Sequence, residues 1–529
     1  MKDSKQPPPP RRKGERLKLA GKITGFTVLW LIFFGVLAGL VAAGAVTGYV
    51  ASLVHDEPVR PPKFIEQKIN ENAITGFAYF RDGTPIGQLR TEEDRRPVNY
   101  NQIPKSIIDA VIATEDKNFF SHTGIDTNGL LRAVRQQLLN ENVQTGGSTI
   151  TQQLARRVFL SLDQTSSRKA KEIFLSLRLE RYLSKEQIIT AYLNKVPYGN
   201  GSSGYNLFGI KAASKGIFGI EDLNKLNIAQ SAYLAGLPQL PSLYSAFTGK
   251  GDFNEKNFKR AVQRQKLVLK RMLEENKITQ AEYEEALAFD LYTSLAKPSE
   301  KAYNTYPYLL LEVERQAAEQ LVLLKNPNLK REDLKKKQNS GLIEDARTQL
   351  LRGGFTVTTT IDKQVYNLMH DIAENPDNFS PDHPVRGVEQ IAAVMMEQKT
   401  GAILGMIEGR DFHIEQMNFA TQMTRQPGSA MKPIAAYLPA IDQGLIQPAS
   451  ILDDAPVILR NGGSGFHIPK NSNNRYSGLV TARQALNHSY NIPALKIFLN
   501  KLTIEKSWDS SVHWALPQSS KRITMRRRA

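Results

Sequence analysis

Ala113 to Asp126 reads ATEDKNFFSHTGID, and the fold turns on this stretch. An apolar run at helical spacing, Ile107 to Ile112, leads into it, so the acidic pair Glu115-Asp116 is predicted where a helix gives way to a polar, Gly-containing turn. A carboxylate there can face a cleft. A Glu held beside the rings of Phe119 and Phe120 loses hydration, which favours proton exchange near neutral pH and makes Glu115 a candidate general base. The same two acids could instead cap the helix or pair with Lys117. What lies downstream decides between these readings.

Thr145 to Phe159, TGGSTITQQLARRVF, opens a helix with a Gly pair and a Ser/Thr cluster and carries Gln152, Gln153, Arg156 and Arg157. Backbone N–H groups at such a start, joined by hydroxyls and Arg forks, suit phosphate oxygens; the alternative is an N-capped surface helix. Arg168-Lys169-Ala170-Lys171-Glu172 then adds a second basic cluster and a second acid, ahead of a helix predicted to bury Ile173, Phe174, Leu177 and Leu179. Two acids and two basic clusters fit transfer from a diphosphate donor. One acid deprotonates an attacking hydroxyl, and the cations neutralise the departing diphosphate.

The 529 residues are 41% hydrophobic and 23% charged, the composition of a folded chain with more than one domain. With no Cys, disulfides and thiolate metal sites are excluded, and the eight His lack ligand spacing, so no metal site is predicted. The net charge of +17 is concentrated at the ends, with eight Lys/Arg in the first 22 residues and five in the last nine. The remaining excess is too mild for a polyanion groove, so no nucleic-acid partner is expected. Ile23 to Val54 holds no charge and exceeds the ~20 residues of a membrane-crossing helix. The basic residues before it place the N-terminus in the cytoplasm and the rest of the chain outside, a single-pass cell-membrane protein.

The expected organisation is a basic cytoplasmic tail over 1–22, a transmembrane helix over 23–54 and a stalk over 55–102. A mainly α domain over 103–290, a linker over 291–352 and a mixed α/β domain over 353–529 follow. The stalk contains a hairpin at Thr75 to Leu89, signalled by Asp82-Gly83 between alternating apolar residues. Lys325 to Arg347 reads as a solvated helix or linker. In the last domain RQPGSAMKPIAAY, Arg425 to Tyr437, places Ser429 and Lys432 on one helical face, a pair able to perform acyl transfer. GNGSSG at 199–204 spells a dinucleotide fingerprint but follows a helical segment without a preceding strand, so no nucleotide site is expected.

The ordered set EDKNFFSHTG, GGSTITQQLARR, RKAKEIFLSLRLE and YLNKVPYGNGSSGY, extended by AYLAGLPQLPSLYS and RQKLVLKRML, resembles the peptidoglycan glycosyltransferase domain of class A penicillin-binding proteins over about residues 75 to 290. The resemblance implies a lysozyme-like helical fold that polymerises lipid II into a β-1,4 glycan and releases undecaprenyl diphosphate. It makes Glu115 the base and Glu172 an aid at the donor diphosphate, directly or through a divalent ion (Mg or Mn). No other cofactor is expected. Asp116, Phe119, His122, Thr149, Gln153, Arg156, Arg168 and Lys169 become substrate-binding positions; Arg156 stands where the family often has Lys. A membrane-resident substrate implies an apolar surface dipping into the outer leaflet, with Val196 to Tyr198 and Leu207 to Ile210 as candidates and core packing as the alternative.

NHSYNIPA, Asn487 to Ala494, supplies the S-x-N pattern that accompanies S-x-x-K in this family. By resemblance Ser429 is the acylated nucleophile, Lys432 its base, Ser489 a proton relay and Asn491 a holder of the D-Ala-D-Ala stem peptide or a β-lactam. The K-[ST]-G element is absent from Ile492 to Ala529, and Lys399-Thr400-Gly401 reads as a turn between strands. The tail WDSSVHWALPQSSKRITMRRRA lacks periodicity, as a prematurely ended or frame-shifted reading frame would. The expectation is therefore an active glycosyltransferase fused to a partial transpeptidase domain with acyl transfer disabled. A second reading is a non-catalytic scaffold or folding-defective product that binds partners in a cell-wall synthesis complex.

Overall fold

The computed structural model describes residues 13–55, 57–58, 60–129, 147–160, 166–385, 387–460, 465–502, 506–507 and 524–527. The chain divides into two compact units, Met1–Thr75 with Arg90–Lys301 and Gly76–Leu89 with Ala302–Ala529.

The first unit begins with α1 (Lys13–Val54), a 42-residue helix that contains the segment predicted to cross a membrane. Phe26, Leu29, Leu31 and Ile32 on it are all more than half exposed. Among the described residues no helix is long and apolar enough to cross a membrane, and side chains are described without a break only from 25 to 41.

The helical core is built around α2 (Lys105–Glu115), whose residues Ile107 to Thr114 are all buried. Ile228–Gly236 and α5 (Glu255–Glu274) pack directly against it, and α3 (Ile150–Phe159) and α4 (Ser166–Tyr182) pack against each other, with Ile107, Ile112, Ile150, Leu154, Leu175, Leu179, Val268 and Leu269 in one cluster. The buried face of α4 matches the predicted one at Leu179 and departs from it at Phe174 and Leu177. Glu172, Leu175, Ser176, Leu179 and Leu183 point inward at helical spacing, which turns Phe174 and Leu177 outward to about 40% exposure.

The stretches proposed as a leaflet-dipping surface belong instead to the core. Val196, Tyr198, Leu207 and Ile210 are buried around a small sheet in which Asn206–Phe208 pairs with Glu93–Arg95 on one side and Pro197–Asn200 on the other. GNGSSG is thus preceded by a strand, contrary to the sequence reading. It turns back into a second antiparallel strand rather than into a helix, which leaves no strand–helix phosphate cradle.

In the second unit the Asp82-Gly83 hairpin forms as predicted, from β1 (Phe77–Tyr79) and β2 (Pro85–Gln88), with Gly83 at φ 85°. It is not a stalk element. β1 runs parallel to β3 (Phe355–Thr358), because Ala78 and Phe80 bury their side chains with Val357. Thr524–Arg527, in the tail read as aperiodic, pairs antiparallel with the other edge of β3. The segment read as a linker contributes two helices, Pro307–Lys325 and Ser340–Arg352, whose Leu309, Leu310, Val313 and Leu350 are core. Its lysines from Lys325 to Lys337 are exposed while Glu312 and Glu314 are buried beside the apolar positions, so composition alone concealed the packing. Further on, Ala393–Met396 and Ile403–Ile407 form the expected hairpin, with Lys399-Thr400-Gly401 in its turn and Gly401 at φ 73°. A smaller cluster centred on Tyr437, Ala440, Leu452, Ala485 and Ile497 supports the Ser429 region.

One glycine locks the first unit together. Gly124 has φ 104°, and a Cβ there would lie 2.9 Å from the backbone C and O of Ser176 in α4. Gly124→Ala adds backbone strain and a clash with main-chain atoms that cannot rotate away, a loss of about 2 kcal/mol or more. Calorimetry should show a lowered melting temperature for the helical unit, and an unchanged one would refute this packing.

Candidate active site

Asp116 follows the last residue of α2 with an extended backbone, φ −162°, and the two neighbouring carboxylates diverge. Asp116 turns inward. Its Oδ2 accepts from the amide of Ile150 at 2.9 Å, and His122 Nε2 lies 2.9 and 3.1 Å from Oδ2 and Oδ1. His122 Nδ1 accepts from the Gly124 amide at 3.0 Å, so the imidazole proton resides on Nε2 and is donated to Asp116. The helix start at α3 does attract an anion, as read from the sequence, but that anion is the chain's own carboxylate. Thr149 completes the cap: its Oγ1 accepts from the Gln152 amide at 3.2 Å and donates to the Gly124 carbonyl at 2.8 Å.

Glu115 turns the other way, with its side chain 14% exposed. Oε2 accepts from Gln153 Nε2 at 2.9 Å, and Oε1 lies 3.4 Å from Arg264 Nη2. Gln153 is itself oriented by the Tyr192 hydroxyl, 3.3 Å from its Oε1. A cavity of about 230 Å³ opens beside this carboxylate, lined by Glu115, Asp116, Ser148, Thr149, Arg271 and Glu275 among others. Lys117 pairs with Glu275 at 3.0 Å, which leaves Glu115 outside the helix-end ion pair considered from the sequence. Of the two flanking rings Phe119 is fully buried, whereas Phe120 is exposed and cannot desolvate the acid.

The second acid is fully buried. Glu172 Oε1 accepts from Lys169 Nζ at 2.7 Å, while Oε2 has no partner among the described residues. Lys169 also donates to Ser148 Oγ at 2.7 Å and Gln152 Oε1 at 3.2 Å. Ser148 therefore links the Lys169–Glu172 pair to the wall of the Glu115 cavity, although Glu172 itself lies behind that wall. Arg156 is half-buried in the last turn of α3, and Arg168 lies in the first turn of α4.

Sequence reasoning missed Arg264 and Arg271, the latter donating from Nη1 to the Thr114 carbonyl at 2.7 Å. The signal was present in RQKLVLKRML, which places two arginines seven residues apart on one helical face.

In the second unit Ser429 lies exposed in the Gly428–Ala430 turn. Lys432 Nζ donates to the Ser489 carbonyl (2.5 Å), Ser489 Oγ (3.1 Å) and Asn491 Oδ1 (2.6 Å), and among the described residues no hydrogen bond joins it to Ser429. Ser489 adopts φ 54°, unusual for a residue with a side chain. The geometry is held from below by Asn471, whose Oδ1 accepts from the Asn491 amide at 2.7 Å and whose Nδ2 donates to buried Asp454 at 2.9 Å.

Residues 82–273 match the Transglycosylase family and residues 391–511 the penicillin-binding protein transpeptidase domain. Penicillin-binding protein 1A of Clostridium tetani is 30% identical over 92% of this chain and 59% of its own length. Penicillin-binding protein 1F of Bacillus subtilis is 33% identical over 80% of this chain and 53% of its own. Penicillin-binding protein 1A of Clostridium perfringens strain 13 is 30% identical over 91% and 69%. The chain belongs to the class A penicillin-binding proteins, with a helical glycosyltransferase-type unit and an α/β transpeptidase-type unit. It spans between about half and two thirds of these relatives' length.

Burial lowers the pKa of Lys432 from the ordinary 10.5, so its neutral form appears at lower pH than for a free lysine. Competitive amine labelling against pH should give Lys432 a midpoint below 10.5, and a midpoint at or above that value would refute the desolvated environment.

Proposed function

We propose that the chain is a membrane-anchored peptidoglycan glycosyltransferase that joins lipid II units and releases undecaprenyl diphosphate. The observation that carries this reading is Glu115, a carboxylate at a helix end that faces a cavity and is oriented by Gln153 and Arg264 without being buried. Glu115 takes the proton from the acceptor sugar hydroxyl as that oxygen attacks the anomeric carbon of the donor. The bond from that carbon to the diphosphate oxygen breaks, and the electron pair leaves with the lipid diphosphate. Lys169, with Arg168 and Arg156 as further cations, offsets the charge that builds on the leaving group.

Among the described residues no three metal-ligating side chains come together. Glu172 Oε2 fits as a single carboxylate ligand for Mg or Mn, the diphosphate oxygens supplying others, and such an ion would add charge neutralisation at the donor. Anchoring rests on the uncharged segment 23–54 and on the exposed apolar side chains of α1, with the N-terminus cytoplasmic and both units outside. Phe120, Phe174, Leu177 and Leu243, all exposed, replace the buried stretches as the surface offered to the leaflet.

Within the second unit Lys432 is hydrogen-bonded to Ser489 and Asn491, the groups that would serve acyl transfer from a stem peptide or a β-lactam to Ser429. Labelled lipid II resolved on gels should show glycan chains that vanish with moenomycin. Glu115→Gln should reduce the rate by a factor of about a hundred or more, the scale of a lost general base. Little polymer from the intact, folded chain would favour the scaffold reading instead.

A further inference from the structure

We propose that Glu57, immediately beyond α1, is a positioning residue for the donor side of the transfer site, fixing the rotation of α4 about its own axis. The inference rests on the glycosyltransferase reading above. Glu57 belongs to the stretch read from the sequence as stalk, yet its side chain is only 4% exposed. Oε2 lies 3.4 Å from Lys171 Nζ in α4, and Oε1 accepts from Arg60 Nη1. The Arg60 guanidinium in turn lies over the ring of Phe159, the last residue of α3, at 5.3 Å. Ser167 Oγ adds a bond to the Leu53 carbonyl at 3.3 Å. The end of α1 and the residues after it are thus fastened to both helices that carry the basic clusters.

The placement of Lys171 gives this fastening its consequence. At about 100° per residue, Lys169 and Lys171 leave α4 on nearly opposite sides, while Glu172 shares the side of Lys169. Lys169 is tied to Ser148 and Gln152 at the start of α3, and Lys171 is tied to Glu57. A helix held on one side only can roll about that contact. Held on both, it keeps Glu172 and Arg168 aimed, and the second hold comes from the segment that joins the membrane helix to the unit. The pairing is mostly shielded from water, which distinguishes it from the exposed ion pairs that contribute little.

The test uses the full chain in detergent with Glu57→Gln, Lys171→Gln and the double variant. Glu57→Gln should lower kcat for lipid II polymerisation by about tenfold, the scale of a small misplacement of catalytic groups, with KM and melting temperature nearly unchanged. The double variant should be no slower than the slower single one, because both remove the same contact. Hydrogen exchange, read without any activity, should speed up at the amides of residues 168–172 in Glu57→Gln. Wild-type kcat in Glu57→Gln, losses that multiply in the double variant, a kcat loss that only tracks melting temperature, or unchanged exchange would each overturn the inference. An inactive parent chain would instead defeat the glycosyltransferase reading, and the exchange measurement would still decide the role of Glu57.

Discussion

The carboxylate of Asp116 against the first amide of α3 is the contact on which the first unit depends. It joins the end of one helix to the start of another, and each of those ends carries polar groups that the helices cannot satisfy alone. His122 closes the second side of the carboxylate, and Gly124 brings the same turn against the backbone of α4. Three helices are therefore registered by one four-atom group and one missing side chain. Glu115 points into the cavity as a consequence, because its neighbour is committed inward.

The Lys169–Glu172 pair follows a different logic. A carboxylate with no exposure is expensive unless a cation and further hydrogen bonds accompany it, and removal of either member costs more than the pair contributes. The lysine's half of that condition is met, because Lys169 also bonds Ser148 and Gln152, which sit in the capping segment of α3. The helix start that Asp116 satisfies on one side is thus the surface that orients Lys169 on the other. This shared support explains how residues 53 positions apart in sequence, Asp116 and Lys169, are fastened to the same helix start.

Much of this was legible in the sequence, and the failures have identifiable causes. The helix before Glu115, the helix opened by the Ser/Thr cluster ahead of Gln152, the Asp82-Gly83 hairpin and the turn at Lys399-Thr400-Gly401 all follow from local chemistry, and local chemistry is visible in a string of residues. The buried face of α4 was misjudged because a charged residue, Glu172, lies on it, and hydrophobic periodicity assigns such a position to solvent. The hairpin was assigned to a stalk because its partner strand, Phe355–Thr358, is more than 250 residues away, and no local pattern announces a parallel pairing at that distance. Arg264 and Arg271 lie within RQKLVLKRML with no role that the string itself reveals, since only the folded chain shows them reaching Glu115 and Thr114.

The polar atoms left over after the fold has been satisfied carry the functional argument. Asp116, His122, Thr149 and Gln152 all make cap and turn hydrogen bonds within the fold, and Asp116 and Thr149 also line the cavity. Glu115 keeps an exposed edge, and Glu172 keeps one oxygen without a partner among the described residues, in a place where an unpaired oxygen is costly. An unpaired carboxylate oxygen can take only a cation or a hydrogen-bond donor, so an anion in this region has to be met by Lys169 rather than by Glu172.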